Sequence, residues 1–355
     1  MKAMLMTDRG DPSVLRMGET PDLTPQANEV LIRVHAVALN HLDIWVRKGA
    51  ASSKLPLPHI LGSDIAGEVV AFGTRATETD PGMQGGKGGD ALEVGARVVV
   101  NPGLSCGRCR KCLAGRDNLC ASYKIMGEHT KGGYGEFVSV PRANIVEIPN
   151  ELSFSNAAAV PLASLTAWQM VVDKAKVQPG DRVLVMAAGS GVSSWAIQIV
   201  KLFGGIVIAT ASTDEKLEHA KKLGADFVVN YATEDYVKAV KQITNGEGVE
   251  AALDHTGADN WQKTIRALCW GGKLVTCGAT SGIEAVTPLA HVFFRQLEIL
   301  GSTMGSKADL HKIMKFVAGG QLRPIVDRVM PLENAREAHE LMESRAFFGK
   351  IVLEV

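Results

Sequence analysis

This chain of 355 residues contains few aromatic residues and has no excess of charge of either sign. Phe, Trp and Tyr make up 5% of the sequence and the charged residues 21%. The 38 basic side chains match the 38 acidic ones, so no net positive field attracts nucleic acid or an anionic membrane surface. We therefore expect neither nucleic acid nor a membrane among its partners.

Long apolar runs are also missing. The N-terminal residues MKAMLMTDRG contain no apolar core of a secretion signal, and no uninterrupted apolar stretch approaches membrane-spanning length. Hydrophobic residues nevertheless amount to 46%, which in a chain of this length supports a sizeable core and about two domains. These features predict a soluble, cytoplasmic protein.

Cysteine is scarce, but four of the six cysteines fall close together. They form the pattern Cys-x2-Cys-x2-Cys-x7-Cys, at Cys106, Cys109, Cys112 and Cys120. Four thiolates complete the tetrahedron of one zinc ion and leave no position open for a substrate. Two disulfides or four unligated thiols are the alternatives, and a cytoplasmic setting disfavours the disulfides. We predict one structural zinc, and expect Cys269 and Cys277 to be packing residues.

The stretch from Asp181 to Val229 has the pattern of a nucleotide-binding unit. Strands and helices alternate in it, and they are predicted over 182–187, 192–203, 206–210, 214–223 and 227–229. Continuous apolar strands of this kind belong to a parallel sheet that is buried on both faces. In a βαβαβ unit, the backbone N–H groups of the first turn and the N-terminus of the following helix point at the same place, where a pyrophosphate binds.

The glycine turn of this unit departs from the usual fingerprint. Compared with G-x-G-x-x-G, the turn is Gly189-Ser190-Gly191-Val192-Ser193-Ser194, with serine in place of the last glycine. A tight strand-to-helix turn in another kind of α/β protein is the alternative. The surrounding pattern favours a nucleotide, and we assign to the cofactor Gly189, Ser190, Gly191 and Val192. Gly278 joins them, because the carboxyl ends of parallel strands hold the ligand.

The remaining elements are predicted from periodicity. Strands are expected over 29–39, 65–72, 96–101, 136–140, 251–253, 273–277, 297–301 and 349–355, and helices over about 155–172, 307–318 and 333–343. The glycine-rich segment 74–95 resembles a phosphate loop only superficially, because Lys87 is followed by Gly88 instead of Ser or Thr. We expect this segment to be a flexible excursion.

The whole chain resembles the zinc-type alcohol dehydrogenase superfamily, the medium-chain dehydrogenases and reductases. The four-cysteine lobe, the nucleotide unit and the segments 40–43 and 62–67 carry the resemblance. It implies an α/β protein with a β-rich GroES-like catalytic domain over 1–161 and 309–355, whose zinc lobe spans about 102–122. A Rossmann domain with a doubly wound parallel sheet would fill 162–308, with the active cleft at the junction.

The chain departs from the zinc-dependent members of that superfamily where they bind the catalytic metal. They carry a cysteine in place of Asn40, and Gly-His-Glu in place of Gly62-Ser63-Asp64. Their third ligand falls at about Leu162 or Ala163. A catalytic zinc needs three good ligands and an open position, and only Asp64 is a strong ligand here. The site is therefore similar to that of quinone oxidoreductases, which share the Asn-x-x-Asp pattern of Asn40 and Asp43.

The resemblance implies an NAD(P)H-dependent oxidoreductase that transfers hydride to or from a small carbonyl, enone or quinone substrate without a catalytic zinc. Hydrogen-bond donors must then stabilise the developing oxyanion. We assign this role to Asn40 and Ser63 beside Asp64, and name His41 as a candidate proton donor. An outward-facing position at a strand end is an equal alternative for His41. A zinc-dependent alcohol dehydrogenase with an unusual ligand set, and a nucleotide-binding protein without turnover, are the alternative functions.

The end of the second strand of the nucleotide unit indicates which cofactor is used. NAD-specific sites place an Asp or Glu there, and the family's acidic position falls on Ala211. Ser212 can donate a hydrogen bond, and Lys216 lies within reach on the following helix. Tyr231 follows the next strand, where quinone-type relatives contact the 2′-phosphate. We predict that NADP(H) is preferred over NAD(H), because no carboxylate opposes the phosphate.

The resemblance also predicts self-association. Members of the superfamily pair by extending their nucleotide sheets edge to edge, and Ile299–Met304 offers a short strand near the end of that domain. Pairing removes the liability of an exposed edge. We expect a homodimer or a homotetramer.

Overall fold

The computed structural model describes residues 1–50, 55–73 and 92–355, so most of the predicted 74–95 excursion lies outside the described residues. Two compact units are distinguished, one formed by 1–162, 306–318 and 326–355 and the other by 163–305 and 319–325. The sequence-based boundaries at 161/162 and 308/309 stay predictions, since the two units divide at 162/163 and 305/306 and the second unit also includes 319–325. Among the described residues, no helix combines the length and the apolar character that crossing a membrane requires.

The regular elements are numbered along the chain. The strands are β1 (Lys2–Met6), β2 (Leu15–Glu19), β3 (Glu29–Ala38), β4 (Asp64–Phe72), β5 (Arg97–Val100), β6 (Gly103–Leu104), β7 (Lys124–Ile125), β8 (Phe137–Pro141), β9 (Ile145–Glu147), β10 (Arg182–Val185), β11 (Ile206–Ala211), β12 (Phe227–Asn230), β13 (Val249–Asp254), β14 (Leu268–Thr276), β15 (Glu298–Gly301), β16 (Val326–Pro331) and β17 (Lys350–Glu354). The helices are α1 (His41–Lys48), α2 (Arg110–Leu113), α3 (Phe154–Ala158), α4 (Pro161–Trp168), α5 (Gly191–Leu202), α6 (Asp214–Lys222), α7 (Tyr236–Ile243), α8 (Ala258–Ala267), α9 (Leu289–Phe294), α10 (Lys307–Ala318) and α11 (Ala335–Ser344).

A mixed sheet organises the first unit. Its strand order is β16-β17-β3-β4-β5-β9, and β8 also pairs with β3. Along β3 the side chains of Val30, Ile32 and Val34 are buried at alternate positions, and the residues from Ala36 to Leu39 are all buried. The sheet therefore delivers the residues after β3 into the core.

A parallel six-stranded sheet organises the second unit, in the order β12-β11-β10-β13-β14-β15. Its first half is the predicted βαβαβ unit, built from β10, α5, β11, α6 and β12. The strand order reverses between β10 and β13, and ligands of such sheets bind outside the carboxyl ends at that point. The predicted fold class, a parallel nucleotide-binding sheet with a β-rich second part, is confirmed.

Two predicted elements differ from the structure. The residues after β3 form helix α1, because Asn40 is its N-cap and the backbone N–H of Asn40 donates to Asp43 Oδ2 at 2.7 Å. The single helix predicted over 155–172 is wrong. This stretch is divided into α3 and α4, because Pro161 starts a new helix. After Trp168, α4 continues as a π-helix over Gln169–Ala175.

Candidate functional site

The four cysteines of the zinc lobe lie together, as predicted. The Sγ atoms of Cys106, Cys109, Cys112 and Cys120 all lie within 4.8 Å of one another. Hydrogen bonds from the backbone N–H groups of Arg108 and Cys109 lower the pKa of the Cys106 thiol to about 6, which favours the thiolate that a metal binds. This donor set fits a structural zinc ion with four protein ligands.

The lobe is held to the rest of its unit by Lys307 at the start of α10. The Lys307 ammonium donates to Asp117 Oδ2 and to Ser105 Oγ, both at 3.0 Å. The Lys307 backbone N–H donates to the second carboxylate oxygen of Asp117, also at 3.0 Å. The segment between the third and fourth cysteines is therefore fixed by a charge pair and one further hydrogen bond at Asp117, and Ser105 before the first cysteine is bound to the same lysine.

Three buried polar side chains form a cluster where β3, β4 and β17 meet. Asn40 follows β3, Asp64 starts β4 and Lys350 starts β17, and their exposed fractions are 7%, 0% and 3%. The Lys350 Nζ donates to Asn40 Oδ1 at 2.6 Å and to Asp64 Oδ2 at 2.9 Å. The Asn40 Nδ2 donates to the same oxygen of Asp64 at 2.9 Å. We call these three residues the Lys350 cluster.

The candidate ligands of a catalytic metal are therefore already engaged. Besides Lys350 and Asn40, the Asp64 carboxylate accepts the backbone N–H of Leu162 at 2.6 Å. The hydroxyl of Ser63 donates to the carbonyl oxygen of Met126 at 2.6 Å. A zinc ion would have to displace the Lys350 ammonium from the same two oxygens and would gain only one strong ligand. The residues in this arrangement do not fit a catalytic zinc.

Asp43 and His41 are both carried by α1. The Asp43 side chain is 1% exposed and accepts the N–H groups of Asn40 and Gly62 at 2.7 and 3.0 Å. Burial raises the pKa of Asp43 to about 6. The half-buried imidazole of His41 lies edge-on to the ring of Trp45, with the ring centroids 6.1 Å apart. Asp43 thus joins α1 to the loop before β4.

The glycine turn leads from β10 into α5. Ser190 is the N-cap of α5, and its Oγ accepts the backbone N–H of Ser193 at 3.0 Å. Gly191 and Val192 form the first turn of the helix, where unsatisfied N–H groups point outward. A Cβ atom on Gly189 would lie 3.0 Å from Cδ of Lys216, so this lysine packs across the turn.

The carboxyl end of β11 lies in the same unit. Ala211 ends the strand and is 1% exposed, while Ser212 behind it is half-buried. Tyr231 follows β12 and is 37% exposed, and its backbone N–H donates to the carbonyl oxygen of Ala211 at 3.0 Å. Asp214 accepts a hydrogen bond from Asn230 Nδ2 at 2.8 Å. Gly278 follows β14, where a Cβ atom would lie 2.9 Å from the His255 carbonyl oxygen.

Comparisons with known proteins agree with this architecture. Two family models match the chain, the alcohol dehydrogenase GroES-like domain over residues 26–150 and the zinc-binding dehydrogenase over residues 191–319. The NAD-dependent alcohol dehydrogenase of Sulfurisphaera tokodaii is 31% identical over 99% of both chains. A crystal structure of an NAD-dependent alcohol dehydrogenase has a TM-score of 0.93 at 54% identity, covering 100% of both chains. The chain belongs to the zinc-type alcohol dehydrogenase superfamily.

The relatives include both alcohol dehydrogenases and quinone oxidoreductases, the two branches of the superfamily that the sequence resembles. The quinone oxidoreductase of Homo sapiens is 26% identical, over 99% of this chain and 97% of its own. The chain is an NAD(P)-dependent oxidoreductase that acts on small molecules, as the resemblance implied. Its four-cysteine lobe fits the structural zinc of the superfamily.

Two residues of the candidate site were missed in the sequence. Lys350 lies 286 positions from Asp64, so its role depends on the pairing of β17 with β3. The signal for it was a lysine at the start of an otherwise apolar closing strand. His255 contacts the hydroxyls of Ser190 and Ser193. Its signal was a group of polar residues at the carboxyl end of a buried strand.

Proposed function

We propose that this member of the superfamily is an NAD(P)H-dependent oxidoreductase of carbonyl, enone or quinone substrates that works without a catalytic zinc. The observation that carries the proposal is the bonding of the Lys350 ammonium to both Asn40 and Asp64. A buried ammonium ion neutralises the carboxylate and satisfies the amide oxygen, so neither is free to bind a metal. The human quinone oxidoreductase among the relatives supports this substrate class.

The proposal divides the work between the cofactor and the chain. When bound, the nicotinamide cofactor exchanges the hydride. Gly189, Ser190, Gly191 and Val192 would hold its phosphates through backbone N–H groups and a helix N-terminus, with Gly278 at the neighbouring strand end. The remaining residues act on the substrate.

Asn40, His41, Ser63 and Asp64 remain our candidates for the catalytic residues. Asn40 and Ser63 would need to redirect a hydrogen from Asp64 and Met126, respectively, to donate to a substrate oxygen. His41 is half-buried at the first position of α1 and is the candidate for proton exchange. We expect His41→Gln to lower kcat by about two orders of magnitude, whereas His291→Gln on α9 should leave kcat unchanged.

Metal analysis and turnover test the proposal together. Purified protein should contain one zinc per chain and should reduce quinones or enones with a nicotinamide cofactor. Two tightly held zinc ions per chain, with turnover of alcohols only, would favour the zinc-dependent alcohol dehydrogenase instead. The named alcohol dehydrogenases among the relatives make that the second candidate function. Absence of turnover with every substrate class would favour a nucleotide-binding protein.

We further propose that NADP(H) is preferred over NAD(H). Ala211 offers no carboxylate against a 2′-phosphate, and Ser212, Lys216 and Tyr231 supply donors beside it. The packing of Lys216 across Gly189 supports its proximity to the cofactor. The names of the NAD-dependent relatives point the other way.

Specificity constants for both cofactors decide the question of preference. Lys216→Ala should weaken the use of NADPH by about tenfold and leave NADH little affected, because a charge-assisted contact to phosphate is lost. Lys222→Ala, on the same helix, is the matched control. Preference of the native protein for NADH, or equal loss with both cofactors in Lys216→Ala, would refute the proposal.

We also propose a homodimer or homotetramer in the cytoplasm. The edge strand β15 supports self-association, since its outer side has no partner strand among the described residues. A zinc centre of four thiolates suits a reducing compartment.

A further inference from the structure

A second polar cluster lies in the second unit, at the carboxyl ends of β10 and β13. His255 follows β13, and its Nε2 lies 2.9 Å from Ser190 Oγ and 3.0 Å from Ser193 Oγ. Both serines belong to the turn that starts α5, with Ser190 as its N-cap. The cluster therefore sits within the part of the chain proposed to bind the dinucleotide.

The hydrogen bonds of Ser193 determine which nitrogen of His255 carries a hydrogen. Ser193 Oγ lies 2.6 Å from the carbonyl oxygen of Met186, which can only accept. The hydroxyl hydrogen of Ser193 therefore points to Met186, and its oxygen can only accept from the imidazole. Nε2 of His255 must carry a hydrogen. Removal from water lowers the pKa of His255, which keeps the ring neutral with this single arrangement of hydrogens.

This arrangement leaves one hydrogen of Ser190 available. Ser190 Oγ accepts the backbone N–H of Ser193 at 3.0 Å, and it shares the single Nε2–H of His255 with Ser193 Oγ in a bifurcated hydrogen bond. These two contacts occupy both acceptor positions of the Ser190 hydroxyl. Because Nε2 carries a hydrogen, the Ser190 hydroxyl cannot donate to it. Within the described part of the chain, no other acceptor takes the hydrogen of Ser190.

We infer that His255 is a positioning residue that directs the hydroxyl hydrogen of Ser190 toward the pyrophosphate of the bound dinucleotide. Phosphate oxygens only accept, so they complement a hydroxyl whose acceptor positions are filled and whose hydrogen is free. The serine thereby adds a side-chain donor to a turn in which glycine supplies only backbone N–H groups. The inference rests on the proposed use of NAD(P)(H) by this unit.

Binding of ADP-ribose, measured by isothermal titration calorimetry on the full chain, tests the inference without turnover. ADP-ribose contains the pyrophosphate, whereas adenosine lacks it. Ser190→Ala and His255→Ala should each weaken ADP-ribose by about tenfold and leave adenosine unchanged. His255→Gln should bind nearly as the native protein does, because its amide nitrogen can replace the Nε2–H donor.

The double variant separates positioning from a general structural effect. Ser190→Ala/His255→Ala should bind ADP-ribose no more weakly than Ser190→Ala alone, because both substitutions remove the same contact. Ser194→Ala is the matched control, since Ser194 Oγ donates only to the Gly191 carbonyl of its own helix. Losses that multiply in the double variant, or equal weakening of adenosine, would overturn the inference.

Two outcomes distinguish failure of the inference from failure of the proposed function. If the native protein binds ADP-ribose and both single variants bind it equally well, the inference fails and the cofactor assignment stands. If the native protein does not bind ADP-ribose, the proposed cofactor use fails. The imidazole 15N shifts of the native protein give a test that needs no variant, because a hydrogen on Nδ1 with bare Nε2 would overturn the inference.

Discussion

At the scale of single residues, the ammonium of Lys350 is a buried charge of the first unit whose removal has a predictable cost. It is 3% exposed and lies between Asn40 Oδ1 and Asp64 Oδ2. We expect Lys350→Met to lower the free energy of unfolding by about 3–5 kcal/mol, because it leaves the Asp64 carboxylate buried without a cation. Guanidinium chloride titration of the two proteins measures the difference.

Two further variants test this explanation. Lys350→Met/Asp64→Asn should recover much of the lost stability, since the double change removes the uncompensated charge. Lys48→Met is the control, because Lys48 is 53% exposed in its pair with Glu343 and such surface pairs contribute about 1 kcal/mol or less. Equal effects of Lys350→Met and Lys48→Met would contradict the role of the Lys350 cluster.

His339 makes the stability of the first unit depend on pH. It is 0% exposed, and its Nε2 lies 3.2 Å from the Tyr134 hydroxyl. Burial, with the nearby charge of Arg47, lowers the pKa of His339 to about 3. The unfolded chain takes up a proton near pH 6.5 and the folded chain does not. Its contribution to stability is therefore present above pH 6.5 and is lost as the pH falls toward 3.

The size of this effect can be measured. Between pH 7 and pH 5 the free energy of unfolding should fall by about 2 kcal/mol from His339 alone. His339→Gln should remove that part of the pH dependence and keep a hydrogen bond to Tyr134. His291→Gln, at an exposed position on α9, should leave the dependence as it is. A native protein whose stability does not change over this range would exclude the assignment.

At the scale of elements, we expect the zinc lobe to be stabilised by its metal more than by its own packing. Between residues 102 and 122 the regular structure is limited to the two-residue strand β6, the four-residue helix α2 and a 3-10 turn at Asp117–Leu119. We expect removal of zinc by a chelator to expose the lobe to trypsin, which cleaves after basic residues such as Arg108, Arg110, Lys111 and Arg116. The parallel sheet of the second unit should remain uncut over the same period.

Substitutions identify the metal that protects the lobe. Cys112→Ser should lower the zinc content below one per chain and make the lobe sensitive to trypsin without a chelator. Cys269→Ser should leave one zinc per chain. Retention of a full zinc ion in Cys112→Ser, with normal protease resistance, would show that the metal lies elsewhere.

Elements with strong apolar patterns were predictable from the sequence. The strand predicted over 206–210 is β11 (Ile206–Ala211), and the helix predicted over 307–318 is α10 with the same bounds. In α10 the burial follows the helical periodicity of the apolar side chains, and in β11 it follows the continuous apolar run of a strand buried on both faces. The four cysteines also lie close together in the sequence, so their spacing alone predicted the zinc lobe.

Elements that depend on distant contacts were not predictable in this way. Helix α1 has only eight residues, and so few positions do not distinguish a helical pattern from the end of a strand. Its N-cap residue Asn40 and its partner Asp43 are also residue types that are common in loops. The contacts of Lys350 depend on the pairing of strands β17, β3 and β4, which are far apart in the sequence. His255 required knowledge of which strand lies beside β10, and the sequence offers no local signal for that order.

At the scale of the whole molecule, the first unit is assembled from both ends of the chain. Residues 326–355 supply β16 and β17, and β17 pairs with β3 through the register Val352 with Ala38. This pairing places Lys350 beside residues from the N-terminal part. The Lys350 cluster is therefore complete only when the two ends of the chain have folded together. The candidate site forms only in the folded first unit.

Self-association is the last prediction at this scale, and it concerns the edge strand β15 of the second unit. Ile299 on this strand is 37% exposed, and nearby on α9 the side chains of Phe293 and Phe294 are 62% and 66% exposed. Strand β15 pairs with β14 on one side, and among the described residues its other side has no partner strand. Such an edge beside exposed apolar side chains is suited to pairing with a second copy. We expect the native protein to sediment as a multiple of the 37.8 kDa chain, and Ile299→Lys to sediment as a single chain. Val329→Lys, on the edge strand β16 of the first unit, introduces the same charge at a side chain 43% exposed and should leave the native mass unchanged. A single-chain mass for the native protein at micromolar concentration, or dissociation by Val329→Lys instead of Ile299→Lys, would refute association through β15.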